Sequence, residues 1–212
     1  MKNKFLILVF LFSFIIKLNA QNGCTDPLAN NYNSSATTND GSCTYNASSV
    51  SVNQSFNLSP TISETSGLIE WNNQFYTHND DSNTNLYKLN KVDGSILQTI
   101  PINNVFNIDW EEISQDQDYV YIGDFGNNAT GNRTNLKIYK IAKSTLNTTP
   151  IVETINFSYS NQTDFTAQTS NNTNFDCEAF VVTNNEILLF TKQWLDNKTT
   201  IYSIPKNTGT HI

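Results

Sequence analysis

Three short segments each open on an acidic or capping residue and run into an apolar stretch: ETSGLI from Glu64, DWEEIS from Asp109 and DCEAFV from Asp176. Aligned, they put Glu64, Asp109 and Asp176 at one position and Ser66, Glu111 and Glu178 two residues on. In an extended strand, residues two apart point the same way. Carboxylates converging from separate segments create a negative field that attracts a cation, and hard oxygen ligands of this kind suit calcium. His78, Asp80, Asp124 and Lys192 follow the next apolar stretch in each segment and are expected near the same end. Two chemistries fit this set. One is the holding of a metal or cationic ligand. The other is metal-assisted hydrolysis with a carboxylate as general base. A purely structural role, capping packed strands and accepting backbone N–H groups, fits as well, and repetition in every unit favours it.

Other reactive types in the chain point to less. Cys24 and Cys43 bracket a polar segment with few apolar residues, too short to build a core without a staple or a metal. The natural reading is a Cys24–Cys43 disulfide, worth on the order of 3 kcal/mol for a loop of this length. Within that segment Asp26, Asn33, Asn39 and Asp40 offer oxygens that could bind Ca²⁺, or simply form turns. Asp124-Phe125-Gly126 spells a kinase motif, but no Gly-rich loop or HRD element accompanies it, and a turn at Gly126-Asn127 explains it. A Ser-His-Asp triad lacks its nucleophile elbow. Cys177 reads as a small buried hydrophobe, and Trp71, Trp110 and Trp194 as core aromatics rather than stacking platforms.

The elements that must position these groups repeat. An aromatic-rich stretch follows each opening segment: QFYTHND, YVYIGDF and ILLFTKQ. Then come LYKL, IYKI and IYSI, with Tyr87, Tyr139 and Tyr202 second each time. ILQTIPI and IVETINF supply a fourth stretch in two of the units. Turn signals such as Asp93-Gly94 and Asn184-Asn185 separate the stretches. Four short antiparallel strands recurring in order predict the blades of a β-propeller, whose first strands line a central channel with the carboxylates at its mouth. A β-sandwich supplies strands but no reason for the ordered recurrence. Three units are fewer than the four blades that close a ring, so the sequence predicts a partial propeller over residues 47–212. Val50, Val52, Phe56 and Leu58 alternate and are expected to form an outer closing strand without its partner.

Two resemblances accompany these readings. The string GCTDPLANNYNSSATTNDGSCTY, residues 23–45, resembles short modules of secreted proteins from Bacteroidetes and other marine bacteria. From Ser63 to Lys206, the motifs ETSGL, THNDD, NIDWEEI, GDFGNN, LKIYKI, DCEAF and TKQW resemble secreted bacterial propeller proteins of the NHL-like or quinoprotein-like type. The resemblance implies the fold and the compartment and carries no reaction.

The N-terminus fits that compartment. Lys2 and Lys4 precede an apolar run from Phe5 to Ile16, and Leu18-Asn19-Ala20 forms a small-residue cleavage site before Gln21. This is the layout of a secretory signal over residues 1–20. The run is shorter than the roughly 20 residues a spanning helix needs, so no membrane span is expected after cleavage. A small stapled module over residues 21–46 and the propeller segment follow. The net charge of −7 argues against nucleic acid, which is bound through Lys and Arg. Asn-x-Ser/Thr sequons arise here from composition. The sequence thus predicts a secreted or cell-surface propeller that binds an extracellular ligand, with a Ca²⁺-dependent propeller hydrolase as the alternative.

Overall fold

A computed structural model describes residues 20–212; the secretory signal read at residues 1–20 lies, except for Ala20, outside the described residues. The described chain is all-β apart from two single-turn 3₁₀ segments, Pro60–Ile62 and Lys143–Thr145. It divides into two compact units, one ending at Gln54 and the other spanning Ser55–Ile212. No helix among the described residues is long and apolar enough to cross a membrane.

The first unit is held by turns and one covalent link. Strands β1 (Asn22–Gly23) and β2 (Thr38–Asn39) pair in parallel, and Cys24 and Cys43 are joined with S–S 2.02 Å. The oxygens singled out for calcium are used locally. Asp26 Oδ1 accepts from the Leu28 N–H at 2.9 Å, and Asn33, Asn39 and Asp40 accept from Ser35, Gly41 and Ser42 at 3.0 Å. Each is a side chain bonding its own backbone two residues on, the mechanism by which Asn and Asp make turns. Asp26 Oδ2 also accepts from the Tyr45 hydroxyl at 2.6 Å.

The second unit contains three sheets that follow the sequence repeat. Sheet 1 is an antiparallel meander of β3 (Thr65–Trp71), β4 (Gln74–Asn79), β5 (Asn85–Leu89) and β6 (Ile96–Pro101). Sheet 2 repeats it with β7 (Trp110–Gln115), β8 (Tyr119–Asp124), β9 (Lys137–Ala142) and β10 (Val152–Phe157). Sheet 3 has β11 (Asp176–Val182), β12 (Glu186–Lys192) and β13 (Ile201–Pro205). Hairpin chemistry sets the β3–β4 register: Trp71 faces Gln74 across Asn72 and Asn73, both at positive φ of 54° and 58°. That is the left-handed pair a two-residue hairpin loop requires and Asn tolerates.

Pairing confirms the repeat at single-residue resolution. Each first strand carries a bulge at the same place, between Thr65 and Gly67, Trp110 and Glu112, and Cys177 and Ala179. Ser66, Glu111 and Glu178 are the extra residues, so the simple two-residue alternation expected there is broken and the side chains are re-aimed.

Two features differ from the sequence expectation. Sheet 2 is mixed and five-stranded, not a purely antiparallel set of four, and the three sheets are open, with no closed propeller. Strand β14 (Gly209–His211) returns from sheet 3 to pair in parallel with β10, Ile155 opposite Gly209. The stretch Val50–Leu58 forms no strand. Val50 and Val52 are exposed, while the Phe56 and Leu58 side chains lie over Gly94. Alternation alone does not make a strand that has no edge to pair with.

The core lies between the sheets. One cluster joins sheets 1 and 2 through Ile69, Tyr76, Leu86, Trp110, Ile113 and Tyr139. A second joins sheets 2 and 3 through Tyr121, Phe125, Ile138, Cys177, Phe180 and Leu189. Trp110 is fully buried and its Nε1–H donates to the Phe106 carbonyl at 3.0 Å, as does the Tyr139 hydroxyl. Strand β7 packs against both β3 and β11. Gly67 makes the β3 approach possible, since a Cβ there would stand 2.6 Å from the Ile113 backbone nitrogen.

Two substitutions test this packing by urea unfolding. Trp110→Ala should cost about 3–5 kcal/mol. Gly67→Ala should cost about 1–3 kcal/mol by forcing β3 away from β7.

Candidate functional site

The close packing of first strands gathers the predicted carboxylates at one end. Asp109 precedes β7, and its carbonyl accepts from the Phe125 and Gly126 N–H groups at 3.1 and 3.2 Å. Glu111 is the bulge residue of β7, and the Ser66 hydroxyl donates to its carbonyl. Asp80 follows β4, and its N–H donates to the Glu64 carbonyl at 2.7 Å. The carboxylates of Asp80, Asp109 and Glu111, from two sheets, place a ligand oxygen each within 4.8 Å of one another.

Gly126 forms the floor. A Cβ at that position would collide with Glu111 Oε1 and the Asp109 carboxylate, so the glycine is required for space. It does not have the left-handed backbone that a turn glycine would explain. A cavity of about 280 Å³ opens beside Asp109, lined also by Ile108, Asn127, Asn128, Thr130 and Arg133.

Burial and mutual repulsion raise the affinity of these groups for protons, as expected for like charges removed from water. Burial, then the charges of Glu178, Asp109, Asp80 and Asp176, push Glu111 from its ordinary value near 4.5 to about 9. Burial and the Asp80 charge push Asp109 to about 6, against the opposing pull of Arg133. Burial, then the Glu64 and Asp81 charges, raise Asp80.

The remaining predicted residues fall into different roles. Asp176 is buried, accepting from the Asn127 N–H and the Trp194 Nε1–H, each at 2.7 Å, and burial raises it to about 6 despite those bonds. Glu178 pairs with Lys192 at 3.2 Å, and Lys192 lies 4.0 Å over the Trp194 ring. Glu64 is exposed and contributes its backbone carbonyl. Asp124 is fully buried inside β8 and not at an opening. Its Oδ1 accepts from Arg133 Nη2 at 2.8 Å and from the Asp109 N–H at 3.2 Å. His78 is also buried, edge-on to Trp110 at 5.6 Å, and burial lowers it to about 4. It is therefore neutral at physiological pH and a packing group. Cys177 is buried, and burial raises its thiol far above the ordinary range.

Arg133 was not singled out from the sequence, although it is the chain's one arginine. It bonds the Gly126 carbonyl at 2.6 Å as well as Asp124, fixing the loop that carries the floor. Its rarity in an Asn- and Thr-rich chain was the available signal.

A raised carboxyl pKa contributes stability that is present below the unfolded value and lost as pH rises toward the folded value. In chelator, the melting temperature should therefore fall as pH rises from about 5 to 9. Glu111→Gln should flatten that slope, as thermal melts at stepped pH would show. Gly126→Ala should displace Asp109 and Glu111 and flatten it as well.

No family model and no curated protein matches the sequence. Among solved structures, the computationally designed Ika4 protein is similar at 12% identity with a TM-score of 0.34, over 72% of this chain and 99% of that one.

Proposed function

We propose that the chain is an extracytoplasmic binding protein whose three sheets are propeller-type blades, and that it holds a divalent cation, calcium foremost, at Asp80, Asp109 and Glu111. The observation that carries this reading is the convergence of three carboxylates from two sheets within 4.8 Å, Asp109 and Glu111 half-buried and Asp80 exposed beside them. Such a cluster takes up either protons or a cation, and oxygen-only ligands favour a hard ion. Asp26 and Asp40 are the weaker candidates, since their oxygens already close turns. The disulfide fits an oxidising compartment in which calcium is plentiful.

One observation favours a second reading, a Ca²⁺-dependent hydrolase. Glu111, raised to about 9, keeps its proton at neutral pH and has the character of a general acid. In the binding reading, a cation displaces that proton.

Calcium titration by calorimetry on the full chain separates the outcomes. Heat of binding is expected, with affinity falling at least tenfold in a variant carrying Asp80→Asn, Asp109→Asn and Glu111→Gln. A calcium-silent wild type would overturn the cation site, and so would binding unaltered by the three changes. Proton release on binding, measured in buffers of different ionisation enthalpy, should disappear in Glu111→Gln.

A further inference from the structure

Repetition gives each loop of the second unit a counterpart against which to measure it. The connection from sheet 1 to sheet 2 is eight residues long, 102–109, whereas the one from sheet 2 to sheet 3 is eighteen, 158–175. The loop after the second strand is five residues in sheet 1, 80–84, and twelve in sheet 2, 125–136. Both longer loops lie at the end that carries Asp80 and Asp109, and they are bonded to each other. The Gln168 and Asn171 N–H groups donate to the Thr130 and Asn128 carbonyls, each at 2.8 Å. Connections longer than about 12–15 residues without secondary structure are uncommon in compact domains and are usually functional. In repeat architectures such insertions gather on one face, often the binding face.

The two long loops and Leu195, which follows β12, enclose a cavity of about 260 Å³. Its walls are braced by the protein's own bonds. Gln162 is buried and donates from Nε2 to the Gly131 carbonyl at 3.0 Å, which leaves its amide oxygen to accept from a ligand. Asn172 likewise donates from Nδ2 to Gln168 Oε1 at 3.2 Å. The Trp194 N–H donates to the Thr173 carbonyl at 3.0 Å, and the Leu195 N–H to Asn174 Oδ1 at 3.1 Å. Phe175 is half-buried, its ring 5.5 Å from that of Tyr159, and Leu195 is exposed.

The lining selects the class of ligand. Among the described residues no Lys or Arg lines the cavity, so an anion finds no counter-charge there. Its one carboxylate, Asp164, is a poor match for a hard cation, which takes several. Side-chain amides both donate and accept, and here they stand beside the apolar surfaces of Phe175 and Leu195. Neighbouring ring hydroxyls make the same double demand, and the C–H face of the ring needs an apolar surface. We infer that this cavity is a carbohydrate site that takes one ring of a neutral sugar. Its volume lies below the roughly 300–1,000 Å³ of pockets for larger ligands, which suits a single ring. The site shares no residue with the Asp80, Asp109 and Glu111 cluster and does not depend on a cation there.

Saturation-transfer NMR on the full chain tests the inference, with glucose, galactose, mannose and N-acetylglucosamine as probes and galacturonate as the anionic control. Each is measured in calcium and in chelator. Transfer to at least one neutral sugar is expected, undiminished in chelator and weaker for galacturonate. Leu195→Asp and Asn172→Ala should each weaken that binding about tenfold, with circular dichroism unchanged. Absence of transfer to every neutral sugar would overturn the site, and so would binding that both changes leave unaltered. Galacturonate bound as tightly as the neutral sugars would overturn the ligand class. Binding lost in chelator would move the sugar to the cation cluster and overturn this placement. Sugar binding by a calcium-silent chain would support this site while the cation site failed.

Discussion

The approach of β7 to the strands on either side of it is the constraint on which most else depends. Gly67 removes the one side chain that would hold β3 off Ile113, and bulges at Ser66, Glu111 and Glu178 bend the first strands where they meet. Polar links then span the sheets. Gln115 donates to the Glu70 carbonyl at 2.7 Å, and the Val182 N–H donates to Ser114 Oγ at 3.2 Å. The large side chains fill the space behind these strands, with Trp110 on one side of sheet 2 and Phe125 on the other. Close first strands and a thick aromatic core are two results of one geometry.

That geometry also sets the electrostatics. Strands this close put the residues at their ends within a few ångströms of each other, and the residues there are acidic. Two groups find partners inside the protein: Asp124 pairs with Arg133, and Asp176 accepts from two N–H donors. For Glu111, burial and the surrounding carboxylates all act in one direction. A group so placed stays neutral or recruits positive charge from solution, and a cavity opens beside its neighbour Asp109.

Much of this was legible in the sequence, for identifiable reasons. Recurrence of ETSGLI, DWEEIS and DCEAFV located the first strands, and the tyrosines of LYKL, IYKI and IYSI located the third, because period and order survive divergence of individual residues. The Cys24–Cys43 pair followed from the lack of apolar residues between them. What failed was what depends on pairing partners. A bulge leaves no mark in one strand read alone. The alternation over Val50–Leu58 describes a strand only if an edge is available, and β14 shows that an edge can be taken by a distant segment. His78 and Asp124 were expected at a mouth because they follow the second apolar stretch of their units, yet pairing keeps both in their strands and buried, one against Trp110 and one bonded to Arg133.

The return of β14 to β10 has a consequence for the order of assembly. Sheet 2 gains its fifth strand from residues that follow all of sheet 3, so a chain emerging from the ribosome makes three sheets before the second can be finished. The pairing of Ile155 with Gly209 is non-local and slow to form compared with the hairpins around it. Until it forms, the outer edge of β10 stands as an unpaired template, the kind of edge on which chains mis-associate. Residues 209–211 therefore cover an edge that the four consecutive strands of sheet 2 leave open.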